Sequence, residues 1–201
     1  MHSAPCRDQV EVGEFLLVLS KSEQLRRYCF FLAALCLCLT EIGAAGWAQG
    51  LIDETRIGML EPIDGPPGDK FGAPNVNVEV LFDRFGPEYQ SSVLNHFLRP
   101  RLDIGTSIST DGDTSEVYAG LTWDVFLTRR LFLEGSAGGA LHTGDDRAFG
   151  CTANFRESGS VGVMLSERWD LLATVDHMSD ANLCDKNRGL TDVGIRFGRK
   201  W

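Results

Sequence analysis

The chain has 201 residues, with 28 acidic and 19 basic side chains and a net charge of −9. This acidic balance argues against a nucleic-acid partner, because phosphate binding requires a basic surface. Once a leader is removed, the remaining length is that of one domain.

The first 48 residues have the composition of an export leader. Arg26 and Arg27 precede the apolar run 28–39, and small residues near 46–48 offer a cleavage site. The stretch ahead of the run is longer than a signal requires, so either the true start lies near Leu25 or the leader has a long n-region; a lipoprotein signal is a weaker alternative. We predict a cleavable leader over residues 1–48 and one domain over residues 49–201.

Period-two alternation of apolar and polar residues recurs eight times in that domain. The clearest segment is 116–127, where Val117, Leu121 and Val125 share one face with other apolar residues. The predicted strands cover residues 56–60, 75–82, 101–108, 116–127, 131–141, 155–165, 171–179 and 190–201. Eight strands is the smallest usual size, so the sequence predicts an all-β, eight-stranded antiparallel transmembrane β-barrel of the bacterial outer membrane.

The connections predict its orientation. Residues 128–130 and 167–169 are tight, whereas 61–74, 142–154 and 180–189 are long, and such barrels keep short turns in the periplasm. Connections 83–98 and 109–115 depart from this rule. The last residue, Trp201, resembles the terminal aromatic of closing strands read by the barrel-assembly machinery. A soluble lipocalin-like barrel remains the rival fold, although it would place many charged faces outward and Trp201 inside.

The predicted strand 171–179 carries His177 and Ser179 on its apolar face. Residues two apart on a strand point the same way and lie about 6.6 Å apart, so the imidazole can lean over to take a proton from the hydroxyl. On a lipid-facing surface this pair would meet a substrate dissolved in the membrane, which predicts a lipid hydrolase that needs no cofactor.

The sequence around this pair resembles one family. Residues 177–183 (His-Met-Ser-Asp-Ala-Asn-Leu), residues 187–190 (Asn-Arg-Gly-Leu) and the final strand with Gly-Ile-Arg-Phe-Gly are similar to the PagL-type lipid A 3-O-deacylases, which are outer-membrane esterases. The resemblance implies that His177 is the general base and Ser179 the nucleophile, acting on the 3-O-linked hydroxyacyl chain of lipid A. It also implies that Asn187 helps to hold the oxyanion, and backbone N–H groups of Ala181 and Asn182 could supplement it.

Two positions depart from the family. Asp180 stands where asparagine commonly follows the serine, and its charge would oppose an oxyanion unless it turns toward solvent. Thr191 stands where the family has the glutamate that orients the histidine, and Asp192 beside it is predicted to face the lumen. If the tight turn pairs Leu165 with Leu171, Glu157 lies opposite Ser179 and diagonal to His177, so we predict Glu157 as the orienting acid. The alternative is that Glu157 only extends into the headgroup region and that the site has no third catalytic residue.

Only Cys151 and Cys184 of the six cysteines follow the leader, and the predicted strands bring them together in a disulfide at the outer end. The loop acids, among them Asp145 and Asp146, lack metal-ligand spacing, so no metal site is predicted. The oligomeric state stays open, with a homodimer as one option. The alternative function is a non-enzymatic outer-membrane barrel for envelope stability or adhesion, for which Thr191 is the strongest argument.

Overall fold

The computed structural model describes residues 50–65, 73–91, 95, 97–144 and 149–201. The predicted leader and Asp145 and Asp146 lie outside these residues. Eight strands follow one another in the described part: β1 Ile52–Asp64, β2 Asn75–Phe82, β3 Arg101–Ser109, β4 Glu116–Phe126, β5 Leu131–His142, β6 Ala153–Met164, β7 Trp169–Ser179 and β8 Leu190–Lys200. Within the described residues, no helix is long and apolar enough to cross a membrane.

Each strand pairs antiparallel with its chain neighbour, and β1 pairs with β8 to close the barrel. A row of directly paired residues that starts at Glu54 on β1 passes once around the barrel to Leu190 on β8, whose neighbour Thr191 pairs with Asp64. The row therefore returns to β1 about ten residues further along the strand, which corresponds to a strand tilt of about 40°.

The interior of the barrel is charged. Arg56, Arg156 and Arg196 are among the largest fully buried side chains. Arg56 forms a two-pronged ion pair with Glu134, at 2.6 and 2.7 Å, so its charge is compensated inside the lumen. Arg156 and Arg196 both donate to Asp176. Charges of both signs thus fill the lumen rather than cover the outside.

The outer wall carries the apolar residues of the same strands. Exposed members include Ile104, Val117, Leu133, Phe155, Val161, Val175 and Ile195. A soluble lipocalin-like barrel would reverse this arrangement, because its apolar residues would line the cavity and its charges would face water. Apolar residues outside and charges inside are the arrangement of a transmembrane barrel.

The two ends of the barrel differ. At one end, tight turns join β4 to β5 and β6 to β7, where Leu127 donates to the Leu131 carbonyl and Leu165 to the Trp169 carbonyl. Strand β1 begins and strand β8 ends at this same end of the barrel. The long connections before β2, before β6 and before β8 lie at the other end, which is the outer end by the usual rule.

The largest differences from the predicted boundaries are in β1, β6 and β7, and β6 begins at Ala153, two residues before its predicted start. Strand β1 is 13 residues long, much longer than the predicted segment 56–60. Strand β7 begins at Trp169 rather than Leu171, because the Trp169 carbonyl accepts the Leu165 and Ser166 N–H groups. The β6–β7 turn is consequently tighter than predicted, and the register of this pair changes by two residues.

Candidate active site

His177 and Ser179 lie on the outer wall at the outer end of β7. His177 is exposed and Ser179 is half-buried. Asp176, just before them, and Met178, between them, point into the lumen. Strand alternation therefore presents the imidazole and the hydroxyl together, on the side that faces lipid.

The register surrounds the histidine with one residue from each neighbouring strand. Glu157 of β6 and Thr191 of β8 both pair directly with His177. The prediction that Glu157 lies opposite Ser179 is wrong, because Phe155 occupies that position. A shift of two residues leaves every side chain on its original face, so Glu157 remains on the outer wall and moves closer to the ring.

Thr191 makes the observed contact with the imidazole: its Oγ1 lies 2.9 Å from Nδ1 of His177. The backbone bonds Leu165 to Trp169 and Lys200 to Arg168 set the alternation along β6, β7 and β8. By that alternation, the 177/191 pair is of the non-hydrogen-bonded kind, in which opposite side chains approach most closely.

The same alternation makes the 157/177 pair hydrogen-bonded through the backbone, with a Cα separation about 1 Å larger. Glu157 is exposed, and its carboxylate makes no hydrogen bond or ion pair to the described part of the chain. It is an acidic side chain on an apolar wall, paired with His177 in the strand register.

Gly189 provides the space that the imidazole occupies. A Cβ at this position would lie 2.6 Å from Cε1 and 3.1 Å from Nε2 of His177, closer than side chains pack. By extension of the β7–β8 register, Gly189 stands opposite Ser179, so the ring leans from its own row toward that of the serine. No role for Gly189 was predicted from the sequence. The only feature of the sequence that could have indicated one is its position just ahead of the last strand.

The turn after Ser179 is held in an unusual conformation. Ala181 and Asn182 have positive φ angles of 53° and 62°, which side chains other than glycine rarely adopt. The buried Asp180 carboxylate stabilises the turn, because its Oδ1 accepts the Asn182 N–H at 2.8 Å. The Asp180 charge therefore points into the loop rather than to solvent, and the Asn182 N–H already has a partner, which leaves that of Ala181 as the backbone candidate for an oxyanion.

Asn187 folds back onto this turn. Its Oδ1 accepts the backbone N–H of Asp180 at 3.0 Å. Because the carbonyl oxygen of the amide is engaged, the two N–H bonds of its Nδ2 are left to donate elsewhere. The amide is exposed and lies one turn from the serine.

A disulfide fixes the loop that carries Asn187. Cys151, just ahead of β6, is bonded to Cys184, with a Cα–Cα distance of 6.1 Å. Gly150 beside it has φ of 88°, and a Cβ there would collide with the Lys186 carbonyl oxygen. The two outer loops thus pack backbone against backbone next to the disulfide.

One cluster in the described residues combines ligand types that metals use: Cys151, Asp180 and Cys184. Both of its sulfurs are consumed by the disulfide, and Oδ1 of the carboxylate accepts the Asn182 N–H. His142, whose Nε2 lies 2.7 Å from the Cys151 carbonyl oxygen, is buried against Phe149.

Comparison with known proteins adds the following similarities. The sequence profile of the family described as lipid A 3-O-deacylase (PagL) matches residues 96–200. The crystal structure of the outer membrane enzyme PagL is similar at 14% identity, covering 72% of this chain and 97% of that one, with a TM-score of 0.52. Neisserial surface protein A is similar at 11% identity, over 76% of this chain and 97% of that one, with a TM-score of 0.48. No curated protein sequence matches this chain.

Proposed function

Because the chain belongs to the lipid A 3-O-deacylase (PagL) family and is a β-barrel of the bacterial outer membrane, we propose that it is a serine esterase. Its substrate is lipid A, and the bond hydrolysed is the ester of the 3-O-linked hydroxyacyl chain. The observation that carries the proposal is the exposed His177, held by Thr191 and standing two residues from Ser179 on the lipid-facing wall.

The reaction begins at the Ser179 hydroxyl. His177 takes its proton as the oxygen attacks the acyl carbonyl, and then returns that proton to the sugar oxygen that leaves. Water, activated by the same histidine, hydrolyses the acyl-enzyme and releases a fatty acid. The hydrogen bond between ring and serine forms when substrate closes the site, since such contacts are often long in unliganded enzymes.

Two neighbouring residues together replace the single orienting acid that is usual in serine hydrolases. In the tautomer that carries hydrogen on Nδ1, the Thr191 oxygen accepts that hydrogen and leaves Nε2 as the base. Glu157, directly opposite on the other side, supplies the negative charge that offsets the imidazolium. Thr191 is therefore a positioning residue, and Glu157 acts through the field that it sets at the ring.

The oxyanion is bound by the turn that follows the nucleophile. Asn187 is oriented by the bond from the Asp180 N–H, which directs its Nδ2 group outward. The Ala181 N–H is the second donor. Preorganised donors of this kind stabilise the tetrahedral intermediate because they need no rearrangement as charge develops.

Mass spectrometry of lipid A tests the proposal. Cells that express the chain should lose one 3-O-linked hydroxyacyl chain from lipid A, whereas cells expressing Ser179→Ala or His177→Ala should not. Heat-modifiable gel mobility checks that both variants still insert as barrels. Unchanged lipid A with the folded wild-type chain would favour a non-enzymatic barrel, and loss at another position would correct the site of cleavage.

A further inference from the structure

The contact between two outer loops brings together three side-chain atoms of the kinds that metals bind. The two Sγ atoms of Cys151 and Cys184 and a carboxylate oxygen of Asp180 all lie within 4.8 Å of one another. Cys151 precedes β6, whereas Asp180 and Cys184 belong to the loop after β7. The two sulfurs form a disulfide in this structure, and breaking that bond would turn both into ligands.

One oxygen of the Asp180 carboxylate lacks a partner. Asp180 is only 2% exposed, and its Oδ1 accepts the Asn182 N–H. Among the described residues, no donor reaches Oδ2, although this oxygen is shielded from solvent. A buried carboxylate oxygen without a donor is costly. Oδ2 is therefore available to a cation, and the turn already holds the carboxylate in place.

The backbone of Gly150 shows where this oxygen points. A Cβ built on Gly150 would collide with the Lys186 carbonyl oxygen and would lie 2.6 Å from Oδ2 of Asp180 and 3.0 Å from Cβ of Cys184. These three groups therefore converge on one point, next to Cys151 along the chain. Oδ2 thus points toward the disulfide and away from Ala181 and the turn.

The spacing of the ligand atoms suits a tetrahedral zinc ion. Zn–S bonds are about 2.3 Å and Zn–O bonds about 2.0–2.2 Å long, so the ligand atoms of a tetrahedral site lie about 3.5–3.8 Å apart. The Cα atoms of the two cysteines are 6.1 Å apart, and rotation about the Cα–Cβ bonds brings the freed sulfurs to this separation. Thiolates select zinc over calcium or magnesium, which prefer oxygen ligands.

We propose that reduction of the Cys151–Cys184 disulfide creates a zinc site, in which the two thiolates and Oδ2 of Asp180 bind the ion. A small thiol is the reductant: two R–SH molecules are oxidised to one R–S–S–R, and the disulfide takes up two electrons and two protons. Zn²⁺ then displaces the two thiol protons to solvent as it binds. Both cysteines are half-buried, which gives reductant and ion access.

A water completes the four-coordinate shell, and the Lys186 carbonyl oxygen accepts a hydrogen bond from it. The ion joins the same two loops that the disulfide joins, so a coordinate link replaces a covalent one. The site does not depend on the proposed function, because no step of ester hydrolysis uses these sulfurs.

The test measures Zn²⁺ bound by the purified, micelle-bound chain in equilibrium dialysis without oxygen. Reduction uses a phosphine, which leaves no small thiol to compete for zinc. Reduced wild type should bind one Zn²⁺ per chain more than reduced Cys184→Ser, and unreduced wild type should bind no more than that variant. Four further cysteines, in residues 1–48, are common to both chains, so the difference isolates the outer pair.

Substitution of the carboxylate tests the third ligand. Asp180→Asn should weaken zinc binding at least about tenfold, because even changes outside the ligand shell cost about 10–100-fold. The asparagine still offers an oxygen to the Asn182 N–H, so the turn is kept. Asp185→Asn is the matched control, because Asp185 is exposed in the same loop and lies outside the cluster. It should leave the affinity unchanged.

Equal zinc in reduced wild type and Cys184→Ser would overturn the site. Unchanged affinity in Asp180→Asn, or the same loss in Asp185→Asn, would overturn the role of the Asp180 carboxylate and with it the proposed ligand set. Heat-modifiable gel mobility shows whether the reduced barrel is folded. A barrel that unfolds on reduction would also contradict the proposal, because its strands would no longer hold the two loops together.

Discussion

His177 and Thr191 stand opposite each other on β7 and β8, with Oγ1 of the threonine 2.9 Å from Nδ1 of the ring. A neutral hydroxyl therefore occupies the side of the imidazole where a carboxylate is usual in serine hydrolases. It can select the tautomer, but it cannot offset the charge that the ring acquires during the reaction. Orientation and charge compensation are consequently separable in this site.

Removing the Thr191 hydroxyl tests the orienting role. Thr191→Val keeps the shape of the side chain, and we expect kcat to fall about tenfold, since one hydrogen bond contributes about 0.5–1.5 kcal/mol. Thr191→Ser, which keeps the hydroxyl, should retain most of the rate. A valine variant as fast as wild type would show that the contact has no part in turnover.

Neutralising Glu157 tests charge compensation. Glu157→Gln should lower kcat by about two powers of ten while KM changes little, because the charge is needed only when the ring is protonated. Thr191→Glu should recover part of that loss in the same background, by placing a carboxylate on the opposite side of the ring. Glu167→Gln, an exposed change in the β6–β7 turn, is the control. If Glu157→Gln were silent, the compensating charge would have to come from another strand.

Filling the space at Gly189 should displace the base. Gly189→Ala puts a methyl carbon 2.6 Å from Cε1 of His177, too close for the ring to keep its position, so kcat should fall about a hundredfold or more. Gly159→Ala is the matched control, because a Cβ at Gly159 on the same wall meets nothing within 4 Å. Circular dichroism should show both variants folded. Equal activity of the two variants would mean that the ring has room to move.

The period-two pattern was sufficient to predict all eight strands, and the face on which His177, Ser179 and Glu157 lie. Faces are robust because an error of two residues in register leaves them unchanged. The cross-strand partner of each residue is harder to predict, since it depends on where the turn between the strands closes. The β6–β7 turn closes on the Trp169 carbonyl, to which the Leu165 and Ser166 N–H groups donate, and this register places Glu157 opposite His177 rather than Ser179.

The loop after Ser179 was the least predictable part of the site. Its conformation depends on one carboxylate, Asp180, turning inward to accept the Asn182 N–H, and on the positive φ of two residues other than glycine. Neither feature has a local sequence pattern. The inward turn of Asp180 was therefore not predicted, and the assignment of Asn187 to the oxyanion stays a prediction.

Two substitutions at Asn187, one that removes only the N–H donor and one that removes donor and acceptor, test that assignment. Asn187→Asp keeps an oxygen to accept the Asp180 N–H but loses the donor, and Asn187→Ala loses both. Both variants should lower kcat about a hundredfold to a thousandfold, the usual effect of losing one oxyanion donor. If the aspartate variant kept full activity, Asn187 would serve only to shape the turn.

The disulfide should be complete in protein purified from membranes without reductant, so that neither Cys151 nor Cys184 is alkylated before reduction. Cys184→Ser should lower kcat several-fold by loosening the loop that carries Asn187, with little change in barrel stability, because the strands pair independently of it. Alkylation of both thiols without reduction would contradict the bond. A Cys184→Ser variant with unchanged kcat would show that the backbone packing at Gly150 is enough.

Ser179, the proposed nucleophile, lies on the outside of the wall rather than in a cavity open to water, and this position determines which substrate concentration sets the rate. Molecules reach it by lateral diffusion within one leaflet, so the concentration that governs its rate is the mole fraction of ester among the surrounding lipids. Diluting a suspension with buffer should leave turnover per barrel unchanged, whereas diluting the same ester with inert detergent or phospholipid should slow it in proportion.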